Sequence, residues 1–157
     1  MKKGNTNHKF AQRKKNYLIL SNDGFARGLM SFAYFKKRLN ELKLSDRVNV
    51  QVSGLITSKG LRPELMALKT LRKKGLSING FGVRSLSEEL LGKTDVVIAL
   101  SQENHNYLKN SYRTTPLKIR ILEVPVILGN TEDAYEKTFA KIKDGLEQEL
   151  QSLQQKS

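Results

Sequence analysis

Short apolar runs alternate with amphipathic segments along this chain, and this alternation restricts the fold more than any other feature. Residues 17–20 and 96–100 are continuous apolar runs, as in strands that are buried on both faces of a sheet. Residues 28–43 carry apolar side chains at helical spacing with charges between them, which predicts an amphipathic helix. The alternation is typical of parallel strands that are joined by helices.

The same patterns, with their end signals, predict four strands and five helices. The predicted strands are residues 17–20, 48–52, 96–100 and 117–122. Helix ends are indicated by Pro63 and Gly75, by a capping box over residues 85–88 ahead of a short helix, and by the N-cap candidates Ser101 and Thr131. We therefore expect an α/β domain with a four-stranded parallel sheet and helices on both faces.

The loop after the first strand is where we expect the functional site, because ligands bind such sheets at the carboxyl ends of the strands. Ser21 ends the strand and Arg27 follows six residues later, at the start of the first helix. A helix N-terminus presents N–H groups to an anion, and an arginine can hold two oxygens of a phosphate. The candidate anion-binding residues are Ser21, Asn22, Asp23, Gly24, Phe25, Ala26 and Arg27.

The chain contains no cysteine, which excludes disulfides, thiolate catalysis and thiolate metal sites. We expect no metal and no cofactor. No apolar run reaches the roughly 18 residues that are needed to cross a bilayer. The charged N-terminus also lacks the apolar segment of a secretory signal. These features predict a cytoplasmic protein without a membrane span.

The formal net charge of +13 is unevenly distributed. Residues 1–15 contain six basic residues and no acidic one, which leaves +7 on the rest of the chain. We expect residues 1–15 to form a disordered basic arm and residues 16–155 to form a single domain. Such an arm can bind nucleic acid, an anionic membrane surface or an acidic partner, or it can serve only as a solubilising tail.

Several segments share their order and spacing with one known family. They are VSG at residues 52–54, PELMALKTLRKKGL at 63–76, RSLSEELLGKTDVVIAL at 84–100 and GNTEDAY at 129–135. Together with the first loop, they resemble the low-molecular-weight protein tyrosine phosphatases, most closely the bacterial tyrosine/arginine phosphatase branch. The resemblance covers about residues 17–150 and implies a low-molecular-weight phosphatase-like fold.

The resemblance also implies which residues would carry the chemistry. In that family the first loop is Cys-x₅-Arg-Ser, whose thiolate attacks the phosphoryl group, and a later Asp-Pro pair supplies the general acid. Here Ser21 stands at the cysteine position, Gly28 at the serine position and Val126 at the aspartate position. Asp23–Gly24 replaces the family's Gly-Asn pair. Only Arg27 is kept among the residues with direct chemical roles.

These replacements predict a catalytically inactive relative. A serine hydroxyl ionises far less readily than a thiol and needs an adjacent base, and neither His8 nor His105 is placed by the sequence to serve Ser21. Val126 has no proton to donate to a leaving group. The sequence therefore favours a binding or regulatory module over an enzyme, although a phosphoprotein phosphatase remains the alternative.

The interior of the loop has several possible arrangements. Asp23 repels a phosphate, and it can instead pair with Arg27. Arg27 can also have a purely structural role through another carboxylate or a carbonyl. Phe25 either plugs the pocket or faces outward. Tyr112 and Tyr135 lie where the family often has tyrosines, and the sequence assigns no use to them.

Three functions stay open at this point. The first is an inactive phosphatase-like module that binds a phosphorylated or acidic protein. The second is an active phosphatase that hydrolyses phosphotyrosine or phosphoarginine by an atypical mechanism. The third is a nucleic-acid or anionic-surface binder that acts through the basic arm. The sequence does not indicate an oligomeric state.

Overall fold

The structure, a computed structural model, describes residues 13–56, 61–116 and 118–155. Its elements, in chain order, are β1 Lys15–Ser21, α1 Arg27–Glu41, β2 Val48–Gly54, α2 Leu65–Lys73, β3 Val83–Ser85, α3 Glu88–Gly92, β4 Val96–Ala99, α4 Gln102–Ser111, β5 Lys118–Ile121 and α5 Glu132–Gln155. Most of the predicted basic arm, residues 1–12, lies outside the described residues. Of the rest of that segment, Arg13 forms an ion pair with Asp95 at 2.9 Å, and Lys15 begins β1.

All strand pairs are parallel, and the strand order is β3-β2-β1-β4-β5. The α/β class with a parallel sheet and helices on both faces is therefore confirmed. The prediction of four strands was wrong by one, because the sheet has five. The additional strand, β3, has only three residues at the sheet edge and no fully buried side chain. It therefore lacks the apolar run that marked the other strands.

This short strand also displaces a predicted helix cap. The capping box over residues 85–88 placed the N-cap at Ser85, which is instead the last residue of β3. The N-cap of α3 is Ser87, whose Oγ accepts a hydrogen bond from the backbone N–H of Leu90 at 3.0 Å. The predicted caps Ser101 and Thr131 are confirmed, since each hydroxyl accepts a backbone N–H three residues later.

The two faces of the sheet bury separate cores. On one face, α1 and α5 pack together through Tyr34 and Phe139, whose ring centroids lie 5.7 Å apart. Tyr17 of β1 contacts Phe35 of α1 in this core. The other face buries a smaller cluster, which includes Leu18 and residues of α3 and α4. Side chains of β1 therefore alternate between the two cores, which explains its continuous apolar sequence.

A buried carboxylate joins α5 to the sheet. Glu149 is 1% exposed and accepts hydrogen bonds from the hydroxyl of Tyr17 on β1 and from Nε of Arg120 on β5. Lys118 Nζ lies 3.5 Å from the same carboxylate. Burial acts to raise the pKa of Glu149, but these donors and cations outweigh it, so its pKa is lowered. The ionised carboxylate thus ties three elements together.

Among the described residues, no helix is both long enough and apolar enough to cross a membrane.

Candidate functional site

The loop between β1 and α1 lies where the strand order reverses. β1 pairs with β2 on one side and with β4 on the other, so the connections from these strands leave in opposite directions. In open α/β sheets this position forms a crevice at the carboxyl ends of the strands. Ser21 ends β1 at this edge. The topology therefore places the predicted loop where a doubly wound sheet holds its ligands.

Hydrogen bonds shape the loop from within. Asp23 Oδ1 accepts the backbone N–H of Phe25 at 2.8 Å, which closes a tight Asx turn. Gly24 between them has φ +87°, a conformation that side-chain-bearing residues rarely adopt. The Oδ1 of Asn22 accepts a hydrogen bond at 2.9 Å from Asn104, a fully buried residue of α4. The loop conformation is thus determined by its own side chains and by α4.

Close backbone approach explains two further glycines. A Cβ on Gly54, at the end of β2, would lie 2.6 Å from the carbonyl carbon and oxygen of Asp23. A Cβ on Gly28, in the first turn of α1, would lie 2.8 Å from Oγ of Ser21. Both distances are shorter than real Cβ contacts. As long as the loop keeps this shape, glycine is the residue that fits at both positions.

Ser21 is buried and chemically isolated. Its side chain is 2% exposed, and its Oγ makes no hydrogen bond within the described part of the chain. Its carbonyl oxygen accepts the backbone N–H of Leu55 at 3.0 Å, which extends the β1–β2 pairing. Among residues 13–56, 61–116 and 118–155, no base is therefore within hydrogen-bonding reach of the Ser21 hydroxyl.

Arg27, which is 5% exposed, is held by the chain itself. Its Nη1 donates a hydrogen bond of 2.6 Å to the carbonyl oxygen of Val124, a fully buried residue that follows β5. Burial lowers the pKa of Arg27, and the carboxylates of Asp23 and Glu103 oppose that shift. The ion pairs found among the described residues do not include one between Asp23 and Arg27. Of the partners that the sequence left open for Arg27, the structure thus shows a backbone carbonyl, that of Val124.

The loop borders a cavity of about 190 Å³, which we call the cradle cavity. It is lined by Ser21, Asn22, Asp23, Ala26, Arg27, Glu64, Val126, Ile127 and Tyr135. Five of the seven predicted anion-binding residues therefore lie on its wall, together with Val126, the predicted general-acid position. Val126 is 49% exposed, so it lies at the solvent side of the cavity.

The other two predicted residues line no part of this wall. Gly24 packs close to Val83 of β3, where a Cβ would lie 2.8 Å from a valine methyl group. Phe25 contacts Phe81, with ring centroids 6.0 Å apart, and so it does not plug the cavity. His105 is likewise absent from the lining, and its Nδ1 lies 3.3 Å from the amide nitrogen of Gln102.

Sequence reasoning missed Glu64 as a site residue and gave Tyr135 no role. Glu64 is the N-cap of α2, and its backbone N–H donates to the carbonyl of Phe25 at 3.0 Å. Tyr135 lies in the first turns of α5; burial raises its pKa, and Glu64 and Asp23 add to the shift. Glu64 follows β2, whose carboxyl end lies at the same sheet edge as Ser21. The position of Glu64 in the segment after β2 was therefore the sequence signal that could have placed it at the site.

Within the described residues, no group of three or more histidine, cysteine or acidic side chains is placed to hold a metal ion. The polar side chains of the cradle cavity are instead a buried hydroxyl, a phenol, an amide, a guanidinium and two carboxylates. These groups include both hydrogen-bond donors and acceptors, which suits the binding of a small polar or charged group.

The strand order, which reverses at the loop after β1, defines a doubly wound α/β protein. The family model of the low molecular weight phosphotyrosine protein phosphatases matches residues 16–157, and the chain belongs to this family. No curated protein matches the sequence.

Solved structures with the same fold include YfkJ from Bacillus subtilis, at 24% identity and a TM-score of 0.79, over 92% of this chain and 97% of that one. A mutant of YwlE from Bacillus subtilis has 21% identity and a TM-score of 0.81, over 90% and 99%. A cysteine-to-serine mutant of the YwlE arginine phosphatase, described as having a phosphorylated active-site serine, has 22% identity and a TM-score of 0.80, over 88% and 95%. At these identities, the three structures show a shared fold.

Proposed function

We propose that this protein is a catalytically inactive member of the family, which uses the cradle cavity for binding or regulation. The observation that carries the proposal is the isolated hydroxyl of Ser21. It stands at the position of the family's nucleophile, yet it is buried and has no hydrogen-bonding partner in the described chain. A serine nucleophile needs a neighbouring base within hydrogen-bonding reach.

The leaving-group side of the cavity supports the same proposal. Val126, at the position of the family's general acid, lies on the cavity wall and is half exposed. Its side chain carries no proton, and proton transfer typically contributes ~10²- to 10⁴-fold to such a reaction. Loss of both the nucleophile and the acid leaves only binding chemistry at this site.

The charges of the cavity further oppose a phosphate substrate. Asp23 and Glu64 place two carboxylates on the wall against the single guanidinium of Arg27. At about 5 Å and an effective dielectric of 20, each pair of like unit charges costs about 3 kcal/mol. A phosphate dianion meets this repulsion from both carboxylates.

The alternative is an active phosphatase that works through Ser21, on phosphotyrosine or phosphoarginine. One observation on another protein favours it: the cysteine-to-serine mutant of YwlE is described as carrying a phosphorylated active-site serine. Formation of a phosphoserine is the first half of a turnover, and its hydrolysis needs a base in addition. Phosphorylation of Ser21 alone therefore does not separate an active phosphatase from an inactive one. Repeated turnover of substrate does.

A phosphatase assay on the purified full chain separates the two. We expect no hydrolysis of p-nitrophenyl phosphate, of a phosphotyrosine peptide or of a phosphoarginine peptide above the level of a Ser21→Ala variant. Intact-mass analysis after incubation with each substrate detects any phosphoryl group on Ser21. Multiple turnover by the wild type that is lost in Ser21→Ala overturns the proposal.

Nucleic-acid binding through the basic arm and a cytoplasmic location stay predictions from the sequence. The arm is tested by RNA binding with and without residues 1–12, over a range of salt concentrations. Electrostatic binding weakens steeply as salt rises, because counterions are released from the phosphates.

A further inference from the structure

The cradle cavity has more negative than positive groups on its wall. Asp23 and Glu64 contribute two carboxylates, and Arg27 is the single basic residue of the lining, so its formal charge is −1. This sign is opposite to that of the whole chain, whose formal charge is +13. A cavity that holds a phosphate has the reverse balance of side-chain charges. The N-terminus of α1, which begins at Arg27, also favours an anion, so a cation binds only if the two carboxylates outweigh it.

The positive charge of Arg27 is already engaged by the chain. One arm of its guanidinium donates to the carbonyl of Val124. Asp23 and Glu103 both interact favourably with its charge. The guanidinium therefore offsets part of the charge of Asp23, whereas no contact links it to the exposed side chain of Glu64 among the described residues.

Two buried polar side chains complete the wall. Ser21 is 2% exposed, and its buried Oγ lacks any hydrogen-bonding partner in the described chain. The phenol of Tyr135 is also buried, and its pKa is raised first by burial and then by Glu64 and Asp23. Both carboxylates thus act on the same hydroxyl, which indicates that they converge on one space.

We propose that the cradle cavity binds the cationic end of a basic side chain, a guanidinium or an ammonium group, presented by a partner protein. The carboxylates of Asp23 and Glu64 neutralise its charge, and the phenol oxygen of Tyr135 accepts one of its N–H donors. The aromatic ring of Tyr135 offers an additional cation–π surface. A divalent metal fits less well, because it requires a tighter set of oxygen ligands.

This inference rests on the proposed loss of phosphatase function, because a site that hydrolyses phosphate esters must accept an anion. It also differs from the phosphorylated or acidic partner that the sequence favoured. The two ligands have opposite charges, so a titration with small probes decides between them.

The test is an amide NMR titration of the full chain with four probes. They are N-acetyl-arginine amide, N-acetyl-lysine amide, the uncharged N-acetyl-citrulline amide and inorganic phosphate. We expect arginine or lysine amide to shift the resonances of residues 21–28 and of Glu64, Val126 and Tyr135. Citrulline amide, which has nearly the shape of the arginine probe, is expected to leave them unchanged. The relative shifts with arginine and lysine amides identify the preferred cation.

Variants of the two carboxylates test the assignment. Asp23→Asn keeps an oxygen for the N–H of Phe25, and Glu64→Gln changes an exposed side chain, so both variants are expected to fold. Each is expected to weaken the binding of the cationic probe about five- to tenfold. The control is Asp133→Asn, since Asp133 is an exposed residue of α5 that pairs with Lys137.

Equal shifts with citrulline and arginine amides, or no shift with any cation, overturn the inference. Shifts with phosphate alone also overturn it, because they show that the loop still binds anions. If the phosphatase assay is negative while no cationic probe binds, this inference fails and the proposed loss of catalysis stands. Turnover of a phosphorylated substrate, in contrast, contradicts the proposed function itself.

Discussion

The hydroxyl of Ser21 packs directly against Gly28, since a Cβ at residue 28 would lie 2.8 Å from Ser21 Oγ. The same Cβ would lie 3.1 Å from a methyl group of Val52. The end of β1 and the first turn of α1 are therefore packed against each other without room for a side chain at residue 28. This contact couples the identities of residues 21 and 28.

We expect Gly28→Ala to destabilise the protein by about 1 kcal/mol, because overpacking outweighs the helix propensity that alanine adds. Ser21→Ala removes an unpaired buried hydroxyl and is expected to be neutral or slightly stabilising. In the double variant the close contact with Oγ is gone, so part of the cost should be recovered. Urea denaturation of the four proteins gives the coupling energy. Strict additivity would contradict the contact.

Gly54→Ala is expected to be more damaging, at about 3 kcal/mol or more, because its Cβ would meet the backbone of Asp23 at 2.6 Å. Backbone atoms cannot move aside as a side chain can, so the loop itself must shift. The control is Gly82→Ala, where a Cβ meets no atom within 4 Å. Urea denaturation of both variants checks the difference, and equal stability would contradict the loop geometry.

Arg27→Met is expected to lower the free energy of unfolding by about 1–3 kcal/mol, because the buried carbonyl of Val124 loses its donor. Arg62→Met removes the same charge from an exposed position and serves as the control. Both are measured by urea denaturation. A stability loss no larger than that of the control would show that the contact between Arg27 and Val124 contributes nothing to the fold.

Ser21→Cys introduces the only thiol of the chain, and we expect its pKa to stay near or above the ordinary value of about 8.5. Burial and the carboxylate of Asp23 disfavour the thiolate, while the guanidinium of Arg27 is engaged by a carbonyl. The pH dependence of iodoacetamide alkylation reports this pKa, and adding Asp23→Asn should lower it by about one unit. A pKa well below neutrality in the single variant would show an intact phosphatase cradle.

Glu149→Gln is expected to destabilise the protein by about 2–3 kcal/mol at neutral pH, because the half-buried cations Lys118 and Arg120 lose this charged partner. The folded-state pKa of Glu149 is lowered, so its contribution is present above the unfolded value of about 4.3 and is lost as the pH falls through the folded value. The gap between wild type and variant should therefore be constant from about pH 5 to 8 and shrink in more acidic solution.

Urea denaturation at several pH values measures this gap. Glu136→Gln is the control, since Glu136 forms a partly exposed ion pair with Lys74 and is expected to change stability by less than about 1 kcal/mol. A gap for Glu149→Gln that does not change with pH would contradict the role of the ionised carboxylate.

The local part of the candidate site could be predicted from the sequence because its signals are contiguous. A continuous apolar run indicated β1, and the amphipathic segment indicated α1, so the loop with Ser21 and Arg27 followed at their junction. The strand β3 was missed for the opposite reason. It is short and half exposed, and its position depends on pairing with β2 rather than on its own pattern.

The sequence by itself determined the α/β fold and the place of the loop, and it predicted the replacement of the family's nucleophile and acid, because periodicity and residue identity are local properties. Tertiary structure alone decided what surrounds that loop. Folding brings Glu64 and Tyr135 to one cavity with Asp23, and it pairs Arg27 with the carbonyl of Val124. These contacts join residues far apart in the chain, and their energies depend on distances and burial that exist only in the folded protein.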